Sequence, residues 1–316
     1  MKKFISQVGI FISITSIVIL IMVVTTIAIM KQASFKIDTN KNILILGSCF
    51  TEISIDDRIF ERSANLSQTG TAYIYSYCKL KKVLEINSHI DTVLVSFQYG
   101  ELSKSGEDIW IMSSEFMFPK VAFYISLLGK EEFAVYKDKG ALFQAILQTP
   151  VRNVNAVIKY FRKGNNNYTY KDLRVGSYLR LDRDRLQVEM EIWEKNKDKK
   201  RNEEESPLQK RYLQKIANLC NEHNVKLILV NTPVYQSKKY DDNVDKLYEY
   251  RNKYLRQADL FDYSNFSLPD SCRGDIAHLN YKGAKIFSEY LQAHFHEDAK
   301  ACADAKKQFY QYNSKE

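Results

Sequence analysis

The amino-acid sequence predicts an α/β protein, a doubly wound parallel sheet with a helical insertion, preceded by one transmembrane helix. The sheet is predicted by short continuous apolar runs that end at turn-forming residues and alternate with segments of helical spacing. The transmembrane helix is predicted because residues 8–30 carry no charge. With 316 residues, 45% of them hydrophobic, the chain can bury one large core.

The uncharged run from Val8 to Met30 is long enough to cross a bilayer, which takes about 20 apolar residues. A cleavable signal peptide is the alternative, but its apolar core is usually about 7–15 residues long and small residues follow it. We therefore expect residues 1–40 to be an uncleaved anchor. Lysines flank the run on both sides, at positions 2, 3, 31, 36 and 41, so local charge barely sets orientation. A long C-terminal domain can be translocated regardless of that charge, and we expect it outside the cytoplasm.

The first predicted strand is residues 42–46, a branched apolar run closed by Gly47. A helix is then possible over residues 53–62, a polar turn is expected over 65–70, and a helix over 73–87. Residues 91–97 predict another buried strand. This order of strand, helix and strand is typical of a doubly wound sheet.

Residues from about 103 to 205 form the predicted helical insertion. Its aromatic side chains are interpreted as core, with a lid or a membrane-facing surface as the alternative; they include Phe116, Phe118, Phe123 and Tyr124. The charged run over residues 195–205 is expected to form a solvated linker or helix face.

The remaining segments continue the alternation. Ser206-Pro207 favours a helix start, with Leu213, Ile216 and Cys220 on one face. Strands are predicted over 225–230 and 260–263, and helices over 244–256 and 281–295, the last with Ile286, Phe287 and Leu291 inward. Residues 41–297 thus form the predicted domain, and 298–316 a polar tail.

The distribution of charge and the spacing of the cysteines bear on two classes of function, nucleic-acid binding and metal binding. The formal charge of +8 comes from scattered Lys and Arg, and no nucleic-acid-binding signature accompanies it. We therefore expect no nucleic-acid partner. The five cysteines have no zinc-type spacing, so we expect no metal, and their odd number leaves at least one thiol unpaired.

Ligands of open α/β sheets bind beyond the carboxyl ends of the strands. Ser48 and Cys49 follow the first predicted strand there. Asp275 precedes His278 by three residues in the loop before the last predicted helix. A carboxylate so placed can orient the imidazole, which is the acid–base arrangement of nucleophilic catalysis.

An apolar strand ending in Gly-Asp-Ser and a late Asp-x-x-His before a helix mark the GDSL-type (SGNH) hydrolases, which this chain resembles at residues 47–49 and 275–278. The resemblance covers most of residues 42–295, less clearly 103–205, and Gly70 falls at the family's second-block glycine. It looks most like the membrane-anchored branch that includes teichoic-acid D-alanylation and alginate O-acetylation proteins. It implies a flavodoxin-like sheet and an esterase or acyltransferase without cofactor. The implied partners are an acylated cell-envelope polysaccharide or lipid substrate and a polytopic membrane acyltransferase.

The sequence departs from the family pattern at the first block. Cys49 stands where the family has its nucleophilic Ser, and Ser48 stands where it has Asp. Adjacent side chains on a tight turn point differently, so both cannot be the nucleophile, and Cys49 is the first choice. The family's third-block Asn is missing. Oxyanion stabilisation is then assigned to amides near Cys49 and Gly70, with Gln98 as a further donor or a surface-turn residue.

Each candidate has a purely structural alternative. Cys49 is then a small buried thiol or half of a disulfide, and Ser48 caps the following helix. Asp275 and His278 are then a turn former and a structural histidine. The corresponding functional alternative is a catalytically inactive SGNH-like module that binds a glycan or a membrane acyltransferase.

Overall fold

The computed structural model describes residues 1–196, 204–235 and 244–313. The protein is mixed α/β, with an N-terminal apolar helix and a five-stranded, all-parallel sheet. The chain divides into two compact units. The first comprises residues 1–36 and 109–175, and the second residues 37–108 together with the chain from 176 onward.

The strands are β1 (Ile43–Leu46), β2 (Ser63–Asn65), β3 (Thr92–Ser96), β4 (Lys226–Asn231) and β5 (Asp259–Asp262). The α-helices of the described residues are α1 (Lys2–Lys31), α2 (Cys49–Ser54), α3 (Tyr73–Leu84), α4 (Tyr99–Leu102), α5 (Lys104–Glu107), α6 (Ser114–Tyr124), α7 (Lys130–Ala134), α8 (Lys139–Leu147), α9 (Thr149–Arg152), α10 (Val154–Lys163), α11 (Leu186–Asn196), α12 (Pro207–Glu222), α13 (Val244–Tyr254) and α14 (Tyr281–Asn313). A π-helical turn spans Asp108–Met112, and 3₁₀ turns span Asn165–Asn167, Tyr170–Asp172 and Asp270–Cys272.

The sheet of the second unit has the strand order β2-β1-β3-β4-β5. Every residue of β1 and β3 is buried, which confirms the two continuous apolar runs as internal strands. The strands β4 and β5 are confirmed within one residue of their predicted bounds. The edge strand β2 was not predicted, because it is only three residues long and its sequence, Ser-Ala-Asn, is mainly polar.

The helices of the second unit agree with the sequence in part. Ser206 caps α12 by accepting a hydrogen bond from the Gln209 amide, and the predicted apolar face of this helix is buried. The helix expected over residues 53–62 is wrong, because α2 ends at Ser54 and turns follow it. Ile286 is also wrong as an inward residue of α14. It is exposed, whereas Phe287 is buried, since consecutive residues of a helix point about 100° apart.

The first unit contains α1 and the helices α6–α10. The helix α1 has 30 residues and is strongly apolar, so it is long and apolar enough to span a membrane. Most of its apolar part is exposed. Its buried side chains cluster toward its C-terminal end and are Val23, Thr26, Ile29 and Met30. Its helical neighbours in this unit are α8, α9 and α10.

Two predicted segments lie partly outside the described residues. The charged run over 195–205 is described except for residues 197–203. The predicted polar tail over 298–316 is described up to Asn313, where it continues α14 as helix.

Candidate active site

The site begins at the exit of β1, where the backbone passes unusually close to β3. Gly47 has a φ of +142°, and a Cβ added there would lie 2.3 Å from the Cβ of Ser96. Only glycine fits this conformation and this space. The chain then turns at Ser48 and begins α2 at Cys49, so two adjacent side chains leave the turn in different directions.

Cys49 is the half-buried first residue of α2. It packs against a small apolar cluster formed by Phe50, Val234 and Ala277, which come from α2, from the segment after β4 and from the loop before α14. Cys49 is a free thiol, so the disulfide alternative for it finds no support in the structure.

Asp275 and His278 form a closed turn before α14. One Asp275 carboxylate oxygen accepts hydrogen bonds from the amides of Ala277 and His278, both at 2.8 Å. The His278 Nδ1 lies 2.9 and 3.0 Å from the two oxygens of the same carboxylate. The carboxylate therefore holds both the loop backbone and the imidazole, and it directs Nε2 away from itself.

The imidazole of His278 lies between a carboxylate and a thiol. Its ring stacks on Phe50 with the centroids 5.5 Å apart. The buried Nε2 has no hydrogen bond of ordinary geometry in the described part of the chain, yet Cys49 is close enough to act on its charge. Burial lowers the pKa of His278, but Asp275 and Cys49 outweigh burial and raise it to about 10. The site therefore favours an imidazolium beside Cys49 at neutral pH.

Arg183 completes the surroundings of Asp275, and the sequence analysis missed it. Its guanidinium donates to the Asp275 carboxylate, and the Arg185 amide donates to the carbonyl of Gly274 at 2.8 Å. Burial raises the pKa of Asp275, but His278 and Arg183 outweigh burial and hold that pKa well below its usual value. No local pattern distinguishes Arg183 from the neighbouring arginines, and 92 residues separate it from Asp275.

Ser48 is fully buried and belongs to a second polar cluster, around Glu101. The Glu101 carboxylate accepts hydrogen bonds from the Ser96 hydroxyl and the Gln98 amide, both at 2.9 Å, and from the Tyr73 hydroxyl at 3.4 Å. Burial raises the pKa of Glu101, against a lowering contribution from Ser48 and these donors. Ser48 occupies the N-cap position of α2 but makes no capping hydrogen bond. The buried Ser48 hydroxyl makes no hydrogen bond of ordinary geometry among the described residues, and the charge on which it acts is that of Glu101, not that of His278.

The predicted oxyanion residues lie in neighbouring loops. Gly70 has a φ of +61°, and its loop is tied to the β1 exit by a hydrogen bond from the Gln68 amide to the Gly47 carbonyl at 2.9 Å. The buried Gln98 amide group donates to the Thr232 hydroxyl at 3.4 Å, beyond the end of β4. Within the described ranges, no hydrogen bond connects Gly70 or Gln98 to Cys49 or His278.

No family model matches the sequence, and no curated protein matches it. Assignment of the site therefore depends on its geometry. Among the described residues, no group of three His, Cys, Asp or Glu side chains could hold a metal ion. The chemistry available to Cys49, His278 and Asp275 is nucleophilic attack by sulfur and transfer of a proton through the imidazole.

Proposed function

We propose that this chain is a membrane-anchored, SGNH/GDSL-like acyl esterase or acyltransferase acting on an acylated cell-envelope glycan or lipid. The observation that carries the proposal is the arrangement in which Asp275 binds the His278 Nδ1 and Cys49 acts on the same imidazole. This arrangement supports a Cys-His-Asp catalytic group, in which a carboxylate orients a histidine that serves a nucleophile.

In the proposed reaction, the Cys49 thiolate attacks the carbonyl carbon of an acyl ester and forms a tetrahedral oxyanion. Backbone amides near Cys49 and Gly70 are assigned to this oxyanion, with Gln98 as a further donor. The intermediate collapses to a Cys49 thioester and expels the alcohol, which takes its proton from the His278 imidazolium. Neutral His278 then removes a proton from water or from a sugar hydroxyl, which attacks the thioester and restores the thiolate.

The fold supports the proposed relationship to the SGNH hydrolases. The strand order β2-β1-β3-β4-β5 is that of flavodoxin-like sheets. A doubly wound sheet has helices on both of its faces. The helix α3 packs with α12, and α2 packs with α14, and these two separate pairs support such an arrangement. The three proposed catalytic residues follow β1 and precede α14, at the end of the sheet where such proteins bind ligands.

The proposed location is a single-pass membrane protein with its soluble domain outside the cytoplasm. The length and apolar composition of α1 support the anchor. Acylated envelope polymers lie on the outer side of the membrane, so the proposed substrate and the proposed orientation agree. A polytopic membrane acyltransferase is a proposed partner, because a transferase on this side needs an acyl donor supplied across the membrane.

Thiol labelling and ester hydrolysis test the proposal together. Purified full-length protein in detergent is treated with limiting iodoacetamide and, separately, with p-nitrophenyl acetate. Cys49→Ala is expected to abolish ester turnover and to remove the fastest-labelling thiol. Cys302→Ala is the matched control, because Cys302 is also half-buried but donates to the Leu260 carbonyl at 3.4 Å rather than facing an imidazole.

The competing hypothesis is an inactive SGNH-like module that binds a glycan or an acyltransferase partner. It predicts that Cys49 labels no faster than Cys302 and that Cys49→Ala complements a null strain fully. Ester turnover that persists in both Cys49→Ala and His278→Ala would likewise refute the proposed catalytic group.

A further inference from the structure

The helices α8–α10 of the first unit carry apolar side chains on two faces. One face is buried and consists of Leu142, Ala145, Thr149, Asn153 and Ala156. The other face is exposed and is called here the apolar stripe; it consists of Phe143, Leu147, Val151, Val154, Ile158 and Phe161. A helix of a water-soluble protein normally turns polar residues outward, so this second face calls for an apolar partner.

Within α8 and within α10 the members of the apolar stripe are spaced by three or four residues, which places them on one side of each helix, and Val151 lies in the short α9 between them. The stripe is strongly exposed, with Val151 at 76% and Phe161 at 73% of full accessibility. Single exposed apolar residues are ordinary, but six on three consecutive helices are an unusual concentration of exposed apolar side chains.

The segment that carries the apolar stripe has positively charged side chains and no negatively charged ones. From residue 139 to residue 171 there is no Asp or Glu, and the basic residues are Lys139, Arg152, Lys159, Arg162, Lys163 and Lys171. Lys163 and Lys159 share one acidic partner at the segment's end, Asp172, at 2.6 and 3.7 Å. An apolar stripe flanked by Lys and Arg is the pattern of a helix that lies in the interface of an anionic membrane.

The contacts of α1 give the depth of this surface. The residues of α1 that pack inward, from Val23 to Met30, belong to its uncharged run. The helix α1 contacts α8, α9 and α10, and its buried residues lie within about 12 Å of its C-terminal end, at roughly 1.5 Å per residue. If α1 crosses the bilayer, the helices that touch this part of it lie at the depth of the headgroups and the first acyl carbons.

We propose that the apolar stripe is a membrane-binding surface that inserts into the same bilayer as α1, with its Lys and Arg side chains among anionic lipid headgroups. The occupant is the lipid surface itself. This inference rests on the anchoring role proposed for α1. It adds a second attachment to the membrane, made by the apolar stripe of α8–α10, which is called here the collar. Its consequence is a fixed depth for the first unit, which a lone transmembrane helix with a free linker would not provide.

Depth-dependent quenching of tryptophan tests the inference. The full-length protein, with Trp110 and Trp193 replaced by Phe, is placed at one chain or at two chains per nanodisc in phosphatidylcholine mixed with phosphatidylglycerol, with or without brominated acyl chains. Phe161→Trp and Val151→Trp are the test variants, and both side chains are so exposed that replacement removes little packing. Ile17→Trp reports the proposed membrane span of α1. Ile86→Trp is the aqueous control, since Ile86 is exposed beside the charged side chains of Lys82 and Glu85.

We expect brominated lipid to quench Ile17→Trp, Phe161→Trp and Val151→Trp, and iodide in the buffer to quench Ile86→Trp. Quenching of Ile17→Trp alone would overturn the collar while leaving the anchor intact. Protection of Phe161→Trp from both quenchers, seen only when discs hold two chains, would assign the stripe to a second copy and also overturn the proposal. If Ile17→Trp escapes lipid quenching, the anchor fails and the collar fails with it.

Discussion

Replacing Asp275 with Asn removes the charge that holds His278 while keeping the shape of the side chain. The amide oxygen of Asn can still accept from the backbone amides of Ala277 and His278, which lie 2.8 Å from the present carboxylate. The amide nitrogen must then face Arg183 and the His278 Nδ1, both of which are donors. The loop is expected to fold and Nδ1 can still donate to the amide oxygen, but the imidazolium loses the negative charge of the carboxylate.

The size of the effect follows from the pKa of His278. That pKa rises from 6.5 to about 10 through the combined action of Asp275 and Cys49, net of burial. At about 1.36 kcal/mol per pKa unit, the net preference of the site for the imidazolium, after the cost of burial, is about 5 kcal/mol. Hydrogen bonds to charged groups are worth about 1.5–3 kcal/mol, and we take the upper part of that range, roughly 2–3 kcal/mol, for the contact between Asp275 and the His278 Nδ1. If this energy is lost in the transition state, ester turnover falls by roughly 30- to 150-fold.

The assay pairs a spectroscopic measurement with a kinetic one. The pKa of His278 is measured by NMR on protein with ¹³C-labelled histidine, the resonance being assigned by its absence in His278→Gln. The rate of p-nitrophenyl acetate hydrolysis is measured on the same samples. Asp270→Asn is the matched control, because Asp270 is an exposed carboxylate at the start of the same loop. An unchanged His278 pKa in Asp275→Asn would refute the electrostatic reasoning, whatever the rate.

Three further predictions concern stability, each measured by urea unfolding in detergent. Gly47→Ala is expected to cost about 3 kcal/mol, because the new Cβ meets Ser96 at 2.3 Å in a conformation that strains L residues. Gly100→Ala, which meets no atom within 4 Å, should change the midpoint little, and equal losses would contradict this reasoning. Glu101→Ala should cost about 2–4 kcal/mol by leaving buried donors unpaired, and Glu101→Gln clearly less, because its amide oxygen still accepts. The stability that His278 gains from its raised pKa is fully present below pH 6.5 and lost as the pH rises to about 10. The difference in unfolding free energy between wild type and His278→Gln should shrink over that range, and a constant difference would contradict the raised pKa.

The sheet could be read from the sequence where its strands are internal. The residues of β1 and β3 are buried on both faces of the sheet, and this produces a nearly continuous apolar run that marks a strand. The edge strand β2 pairs with β1 only and has three residues, Ser-Ala-Asn, so it shows no continuous apolar run. The helix α2 was misplaced because Cys49–Ser54 is too short to show periodicity.

The local part of the candidate site was also accessible from the sequence. Asp275 and His278 are three residues apart, and one turn suffices to join them. Arg183 and Glu101 were missed because their contacts depend on tertiary structure. Arg183 reaches Asp275 across 92 residues, and Glu101 meets Ser48 only after β1 and β3 pair. No spacing rule within the sequence encodes either contact.

Local geometry and electrostatics together distinguish Cys49 from Ser48 as the candidate nucleophile. The forced glycine at Gly47 sends the chain past Ser96, so the next side chain, Ser48, points inward to the buried Glu101. The following residue begins a helix and reaches the imidazole. The raised pKa of His278 leaves its imidazole protonated at neutral pH, and this protonation bears on the choice of nucleophile. It would disfavour a serine, whose hydroxyl needs a neutral imidazole to take its proton. Cys49 and Asp275 therefore act on the same imidazole from two sides, and both raise the pKa of His278.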